Sequence, residues 1–306
     1  MQIVTHPLRM LAVAVASLLA LPGLAQAGPG DLYAASNISN TITRFTPGGS
    51  ASVFASSGLS GPYGLAFDAN GNLYAANFRN STIERFTPGG IASVFASTGL
   101  SGPYGLAFDA NGNLYVANYY AGTIERFTPG GAASVFASTG LSAPAAVAFD
   151  AGGNLYVTND GNDTIERFTP GGAASVFAST GLHNPNGMAF DASGNLYVAN
   201  YNTNTIERFT PGGAASVFAS AGLSSPVGLA FDANGNLYAA NLAGNTIERF
   251  TPGGTASEFA SAGLDQPTFL AFEPSVAAAA VPEPASLAVL GLGLGMLGLL
   301  RRRRAG

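Results

Sequence analysis

With 306 residues, 47% of them hydrophobic and only 9% charged, the chain has the apolar content for a core and lacks the charge of a disordered segment. There is no Cys and no Lys, so disulfides, thiol nucleophiles and cysteine-held metals are excluded. Between 28 and 276 seven Arg face sixteen Asp and Glu, a net −9, which excludes a phosphate-binding nucleic-acid surface.

Residues 1–27 read as a secretory signal peptide. Arg9 supplies the positive start, Met10 to Leu21 the apolar stretch, and Ala25-Gln26-Ala27 the small-residue cleavage pattern. The apolar stretch is short for a membrane anchor and stops at Pro22-Gly23. Cleavage is expected after Ala27.

From 28 to 276 the chain repeats itself. Phe67, Phe108, Phe149, Phe190, Phe231 and Phe272 recur every 41 residues, as do Tyr33, Tyr74, Tyr115, Tyr156, Tyr197 and Tyr238. Each unit holds four short apolar segments. In the third they are Gly105-Leu106-Ala107-Phe108, Leu114-Tyr115-Val116-Ala117, Thr123-Ile124-Glu125-Arg126-Phe127 and Ala133-Ser134-Val135-Phe136-Ala137. Their length, aromatic and β-branched content, and Asn/Gly/Pro punctuation predict strands. The turn Asp109-Ala110-Asn111-Gly112-Asn113 suits positive φ, and it lacks the length and distal Glu of an EF-hand. A four-stranded, 41-residue unit is the period of a propeller blade. The first unit lacks its leading strand and the last unit ends on it, at Thr268-Phe269-Leu270-Ala271-Phe272. The expected fold is therefore all-β: a six-bladed β-propeller of four-stranded antiparallel blades, closed by the C-terminal strand completing the first blade. A solenoid is the alternative, but it requires polar caps.

Pro103-Tyr104-Gly105-Leu106-Ala107-Phe108-Asp109 and Gly112-Asn113-Leu114-Tyr115-Val116-Ala117-Asn118 resemble the NHL-type repeat in every unit, with Asn118 and its counterparts where that repeat commonly has Asp. The resemblance implies a propeller and leaves function open, because such rings serve as binders, scaffolds and enzymes.

The six copies differ in two places: after the second strand and before the first. An up-and-down blade places both connections on one face of the ring. Candidate ligand-binding residues there are Tyr63, Phe78, Arg79, Tyr104, Tyr119, Tyr120, Asp160, His183, Asn186 and Tyr201. Aromatic planes among amides suit a hydroxyl-rich partner such as an extracellular polysaccharide. A propeller-type lyase or lactonase is the rival reading, with His183 as its base; a purely structural matrix protein is the third. No catalytic constellation, cofactor motif or metal-ligand cluster is legible. The repeated Glu-Arg pairs, such as Glu125-Arg126, read as a structural ladder between blades.

Residues 277–284 form a linker ending in Pro282-Glu283-Pro284, and 285–306 an apolar helix with the cluster Arg301-Arg302-Arg303-Arg304. This order resembles the PEP-CTERM sorting signal. The resemblance implies an exosortase partner, transient inner-membrane contact through the helix, and delivery to the cell surface or extracellular matrix of a Gram-negative bacterium.

Overall fold

The computed structural model describes residues 30–274. The expected signal peptide, the sorting motif and its apolar helix lie outside the described residues. Within them the chain folds as 24 strands in six four-stranded antiparallel sheets.

Blade 1 contains β1 (Leu32–Ser36), β2 (Thr41–Phe45) and β3 (Ala51–Ala55). Blade 2 is β4 (Pro62–Phe67), β5 (Leu73–Asn77), β6 (Thr82–Phe86) and β7 (Ala92–Ala96). Blade 3 is β8 (Pro103–Phe108), β9 (Leu114–Asn118), β10 (Thr123–Phe127) and β11 (Ala133–Ala137). Blade 4 is β12 (Pro144–Phe149), β13 (Leu155–Asn159), β14 (Thr164–Phe168) and β15 (Ala174–Ala178). Blade 5 is β16 (Pro185–Phe190), β17 (Leu196–Asn200), β18 (Thr205–Phe209) and β19 (Ala215–Ala219). Blade 6 is β20 (Pro226–Phe231), β21 (Leu237–Asn241), β22 (Thr246–Phe250) and β23 (Ala256–Ala260), and β24 (Pro267–Phe272) follows it.

β24 pairs antiparallel with β1, Leu32 opposite Phe272 and Ser36 opposite Pro267, so blade 1 is built from both ends of the body. The ring is closed. Closure gives the edges of β1 and β24 partners they would otherwise lack. The second strand of each blade, Leu-Tyr-Ala-Ala-Asn or a close variant, is buried at every position, as expected for a strand covered on both faces. The fourth strand is largely exposed on the circumference.

Neighbouring blades are joined by a repeated aromatic joint. Tyr33 meets Phe54 and Phe67 edge-on, each at 5.0 Å, and Tyr74 meets Phe95 and Phe108 in the same way. Such pairs contribute about 0.5–1.5 kcal/mol each beyond area burial. Below them, Ile42, Leu65, Leu73 and Phe86 fill the space between blades 1 and 2.

The Glu-Arg pairs do not form an ion-pair ladder. Adjacent residues on a strand point to opposite faces. Glu84 is buried over Gly58, in the connection between blades 1 and 2, whereas Arg85 sits beside the Tyr74 hydroxyl. Among the described residues the one ion pair joins Arg44 to Asp31 at 3.5 Å. In blade 1 Thr43 takes the Glu position, and its hydroxyl donates to Gly263 O instead.

The turns on one face satisfy themselves. Asp68 accepts from the backbone N of Asn70 and Asn72 at 2.9 and 2.8 Å, and from the Asn72 amide. On the other face the connections are braced from below. Asn77 accepts from Ser60 N and donates to Gly58 O, and Asn118, Asn159, Asn200 and Asn241 repeat the brace. These Asn brace the connection leading into their own blade and also span the turn that follows them, Asn77 donating to Thr82 Oγ1 at 3.1 Å and the other four in the same way.

Candidate functional site

The innermost strands β4, β8, β12, β16, β20 and β24 surround the axis, and their first three residues form its upper end. Gly occupies the third position in four of them because the neighbouring strand passes too close for a side chain. A Cβ on Gly187 would lie 2.1 Å from Val227 O, and one on Gly64 2.2 Å from Tyr104 O. Two blades depart from this rule. Blade 4 has Ala146, and it also has Thr158 where the other blades have Ala. The Thr158 hydroxyl accepts from Ala146 N at 2.8 Å and donates to Asn186 O at 2.7 Å, bridging the two inner strands. The last strand has Phe269, whose ring meets that of Tyr104 edge-on at 5.7 Å. Tyr104, Ala145, Ala146, Val227 and Phe269 are buried in one cluster and close the axis.

Above this floor is a cavity of about 410 Å³ to which every blade contributes. Tyr63 and Phe78 come from blade 2, Tyr104, Tyr119 and Tyr120 from blade 3, and Asp160 from blade 4. Asn184, Asn186 and Tyr201 come from blade 5, Val227 and Leu242 from blade 6, and Gln266 from the connection into β24. The aromatic side is continuous. Tyr63 lies 4.3 Å from Tyr104 and 5.1 Å from Phe78, Phe78 lies 5.1 Å from Tyr120, and Tyr104 stacks on Tyr119 at 5.4 Å.

Asp160 is the charged member of the lining. Its Oδ2 accepts a 2.6 Å hydrogen bond from the Tyr119 hydroxyl, while its Oδ1 is buried without a partner. Burial raises the affinity of this carboxyl for its proton above the usual carboxylate range; the Tyr119 bond opposes the shift and Asp163 adds to it. Burial likewise pushes the Tyr119 hydroxyl well up, with Asp160 adding to the effect. The Tyr104 hydroxyl is raised by burial, then by Tyr63, Asp160 and Tyr119, and the Asn186 amide partly offsets this. Asn186 is only 4% exposed, and its Oδ1 has no partner either. Two acceptor oxygens are thus desolvated at this site without donors, a cost of about 1–3 kcal/mol for each neutral group and more for a charged one.

The rim is held by cross-blade bonds. Asn40 Oδ1 accepts from Gly61 N, Asp163 Oδ1 from Asn184 N, and Asn245 Oδ1 from Gln266 N, at 2.6, 2.6 and 2.7 Å. Each of these three side chains stands on a residue with φ of 52–55°, a backbone that Asn and Asp tolerate better than most.

Eight of the ten residues singled out from the sequence line this cavity, and two do not. Arg79 is exposed; its guanidinium donates to Asn37 Oδ1 at 3.0 Å and its stem covers Gly61. His183 is exposed outside the lining, its backbone N pinned by Asn200 and its ring near enough to Glu207 to ease that carboxyl's shift. The brace that positions residue 183 in every blade holds the backbone and leaves the side chain outside the bowl. Asn184, Val227, Leu242 and Gln266 were not singled out. Asn184, Leu242 and Gln266 belong to the variable segments, and Val227 holds the inner-strand position of Tyr104, so position in the repeat could have found them. Among the described residues no three His, Cys, Asp or Glu side chains gather as a metal site would require.

The sequence matches the Virginiamycin B lyase family over 10–222 and again over 60–266. The chain belongs to that family. Its C-terminal 280–304 match the PEP-CTERM protein-sorting motif, which implies export, cell-envelope sorting in Gram-negative bacteria and processing by an exosortase. No curated protein matches the chain. Among solved structures, a nidogen/laminin complex is similar at 24% identity and a TM-score of 0.73, over 80% of this chain and 98% of that one. Virginiamycin B lyase from Staphylococcus aureus is similar at 21% identity and 0.65, over 81% and 87%. A catalytically inactive histidine-to-alanine variant of that lyase, solved with quinupristin, is similar at 20% and 0.61, over 80% and 92%. At these identities the likeness shows a shared fold.

Proposed function

We propose that this chain is an exported surface or matrix propeller whose axial bowl binds a hydroxyl-bearing ring, as on an extracellular polysaccharide. The observation that carries the reading is an aromatic wall in a cavity whose lining also holds Asp160 and Asn186, each with a buried oxygen lacking a partner. Rings stack on the C–H faces of a sugar, and its hydroxyls supply the donors those oxygens lack. A cavity of about 410 Å³ is within the usual span for a small ligand. In this reading the leader 1–27 is removed after Ala27. The C-terminal segment contacts the membrane until the exosortase acts, and the ring, with NHL-type blades, then remains at the surface. The test is retention of the 28–276 body on extracellular polysaccharide. Tyr119→Ala with Tyr201→Ala should abolish it, and unchanged retention would remove the reading.

Family membership, together with a carboxyl of raised proton affinity beside a tyrosine hydroxyl, favours a second reading as a lyase or lactonase. In this reading Asp160, rather than His183, is the base within the bowl. Incubation with quinupristin and simple lactones, followed by mass spectrometry, tests it. Turnover that survives Asp160→Asn would exclude Asp160 as the base.

A further inference from the structure

The bowl holds a single formal charge, and it is negative. Asp160 is the one ionisable acid or base in the lining apart from the tyrosines, and Arg79, the cation among the candidate residues, is engaged by Asn37 outside it. One Asp160 oxygen takes the Tyr119 hydroxyl and the other is buried with nothing to accept from. A neutral hydroxyl would satisfy that oxygen's geometry but leave its charge uncompensated in a desolvated site. A cationic N–H donor supplies both, as a charge-assisted hydrogen bond. The surroundings favour the same partner. The faces of Tyr63, Phe78 and Tyr104 attract cations, and Asn186 Oδ1 offers a second acceptor to an ammonium with three protons. The body's net −9 works against an anionic ligand.

Resting on the polysaccharide reading of the bowl, we infer that the ring it binds is an amino sugar with a free ammonium group, seated on the tyrosine wall with its nitrogen at Asp160 and Asn186. Acetylation of that nitrogen removes the charge and two of its protons, so the bowl discriminates deacetylated from acetylated polymer.

Calorimetric titration of the full 28–276 body with four probes tests this: a glucosamine tetramer, its fully N-acetylated counterpart, cellotetraose and n-butylamine. The glucosamine tetramer should bind at least tenfold more tightly than the other three. Asp160→Asn, which can still accept from Tyr119, should erase that preference while the thermal midpoint stays in place. Equal binding of all three tetramers overturns the ammonium inference and leaves the saccharide reading standing. Binding of no tetramer removes both. Butylamine binding as tightly as the glucosamine tetramer overturns the sugar component. A preference that persists in Asp160→Asn assigns it to the overall negative charge and overturns the role given to this carboxylate.

Discussion

The wall between blades and the end of the axis are built by opposite rules. Between blades one solution is reused: a buried Tyr edge-on to two Phe, an Ile and a Leu below, and a Glu lying over a glycine in the preceding connection. At the axis the blades diverge, and blades 2 and 3 alone contribute the same pair, a Tyr followed by Gly. The second residue of the inner strand is Tyr63, Tyr104, Ala145, Asn186, Val227 or Thr268, and the third is Gly in four blades, Ala in one and Phe in one. Repetition suffices where each interface needs only to be filled. The departures from the repeat gather where the six inner strands converge. Even the breaks are supported: Thr158 bonds to Ala146 N, and the hydroxyl of Thr268, fully buried, has the carbonyls of Ala35, Pro62 and Tyr63 within reach for its one proton.

The sharpest way to break this contrast is at closure. Removing 265–276 takes away β24, strips β1 of its partner and withdraws Phe269 from the floor. The thermal midpoint should fall by at least about 10 °C, since each kcal/mol lost moves it by about 2–4 °C in a domain of this size and the loss of a whole strand amounts to several. An unchanged midpoint would mean that the blades stand without the ring. Next in size is Gly187→Ala. A Cβ at 2.1 Å from Val227 O forces the inner strands apart, and overpacking of this kind costs about 1–3 kcal/mol in denaturant titration. A cost under about 0.5 kcal/mol would show that the axis is looser than its distances imply.

The blade walls make a subtler prediction. Burial raises the proton affinity of Glu84, Glu125, Glu166, Glu207 and Glu248. The folded chain therefore holds more protons than the unfolded one between the ordinary carboxylate value and the raised one, and stability falls as pH rises through that window. The midpoint should be higher at about pH 5 than at about pH 8, and replacing all five Glu by Gln should flatten the difference. A midpoint that rises with pH would show these carboxyls to be paired or solvated. The smallest expected effect is at His183. Because it lies outside the bowl, His183→Ala should leave ligand retention unchanged and stability within about 0.5 kcal/mol. Lost retention would mean the site extends beyond the cavity lining.

Much of this was legible in residue order. An uninterrupted spacing of 41 specifies the blade, and the phase of the series, starting at Asp31-Leu32-Tyr33 and ending at Phe272, specifies closure. The two variable segments locate the bowl, because connections on the same end of every blade share a face. The Glu-Arg pairs repeat as a structural contact through the Glu, which lies over a glycine of the connection between blades, but not as ion pairs, because adjacency in sequence is opposition on a strand. His183 stands outside the cavity lining, because its loop position fixes the backbone and says little about where the side chain points.

The sequence by itself determined the blade, the number of blades and the manner of joining the ends, since these follow from the strand pattern of the repeat, the count of repeats and the phase of the series. Only the tertiary structure decided that Phe269 would meet Tyr104 across the axis, that Thr158 would bridge Ala146 to Asn186, and that Asp160 would be left with an unmatched oxygen. Those relations hold between residues from different blades. They depend on how closely six inner strands converge, a distance that no single repeat encodes.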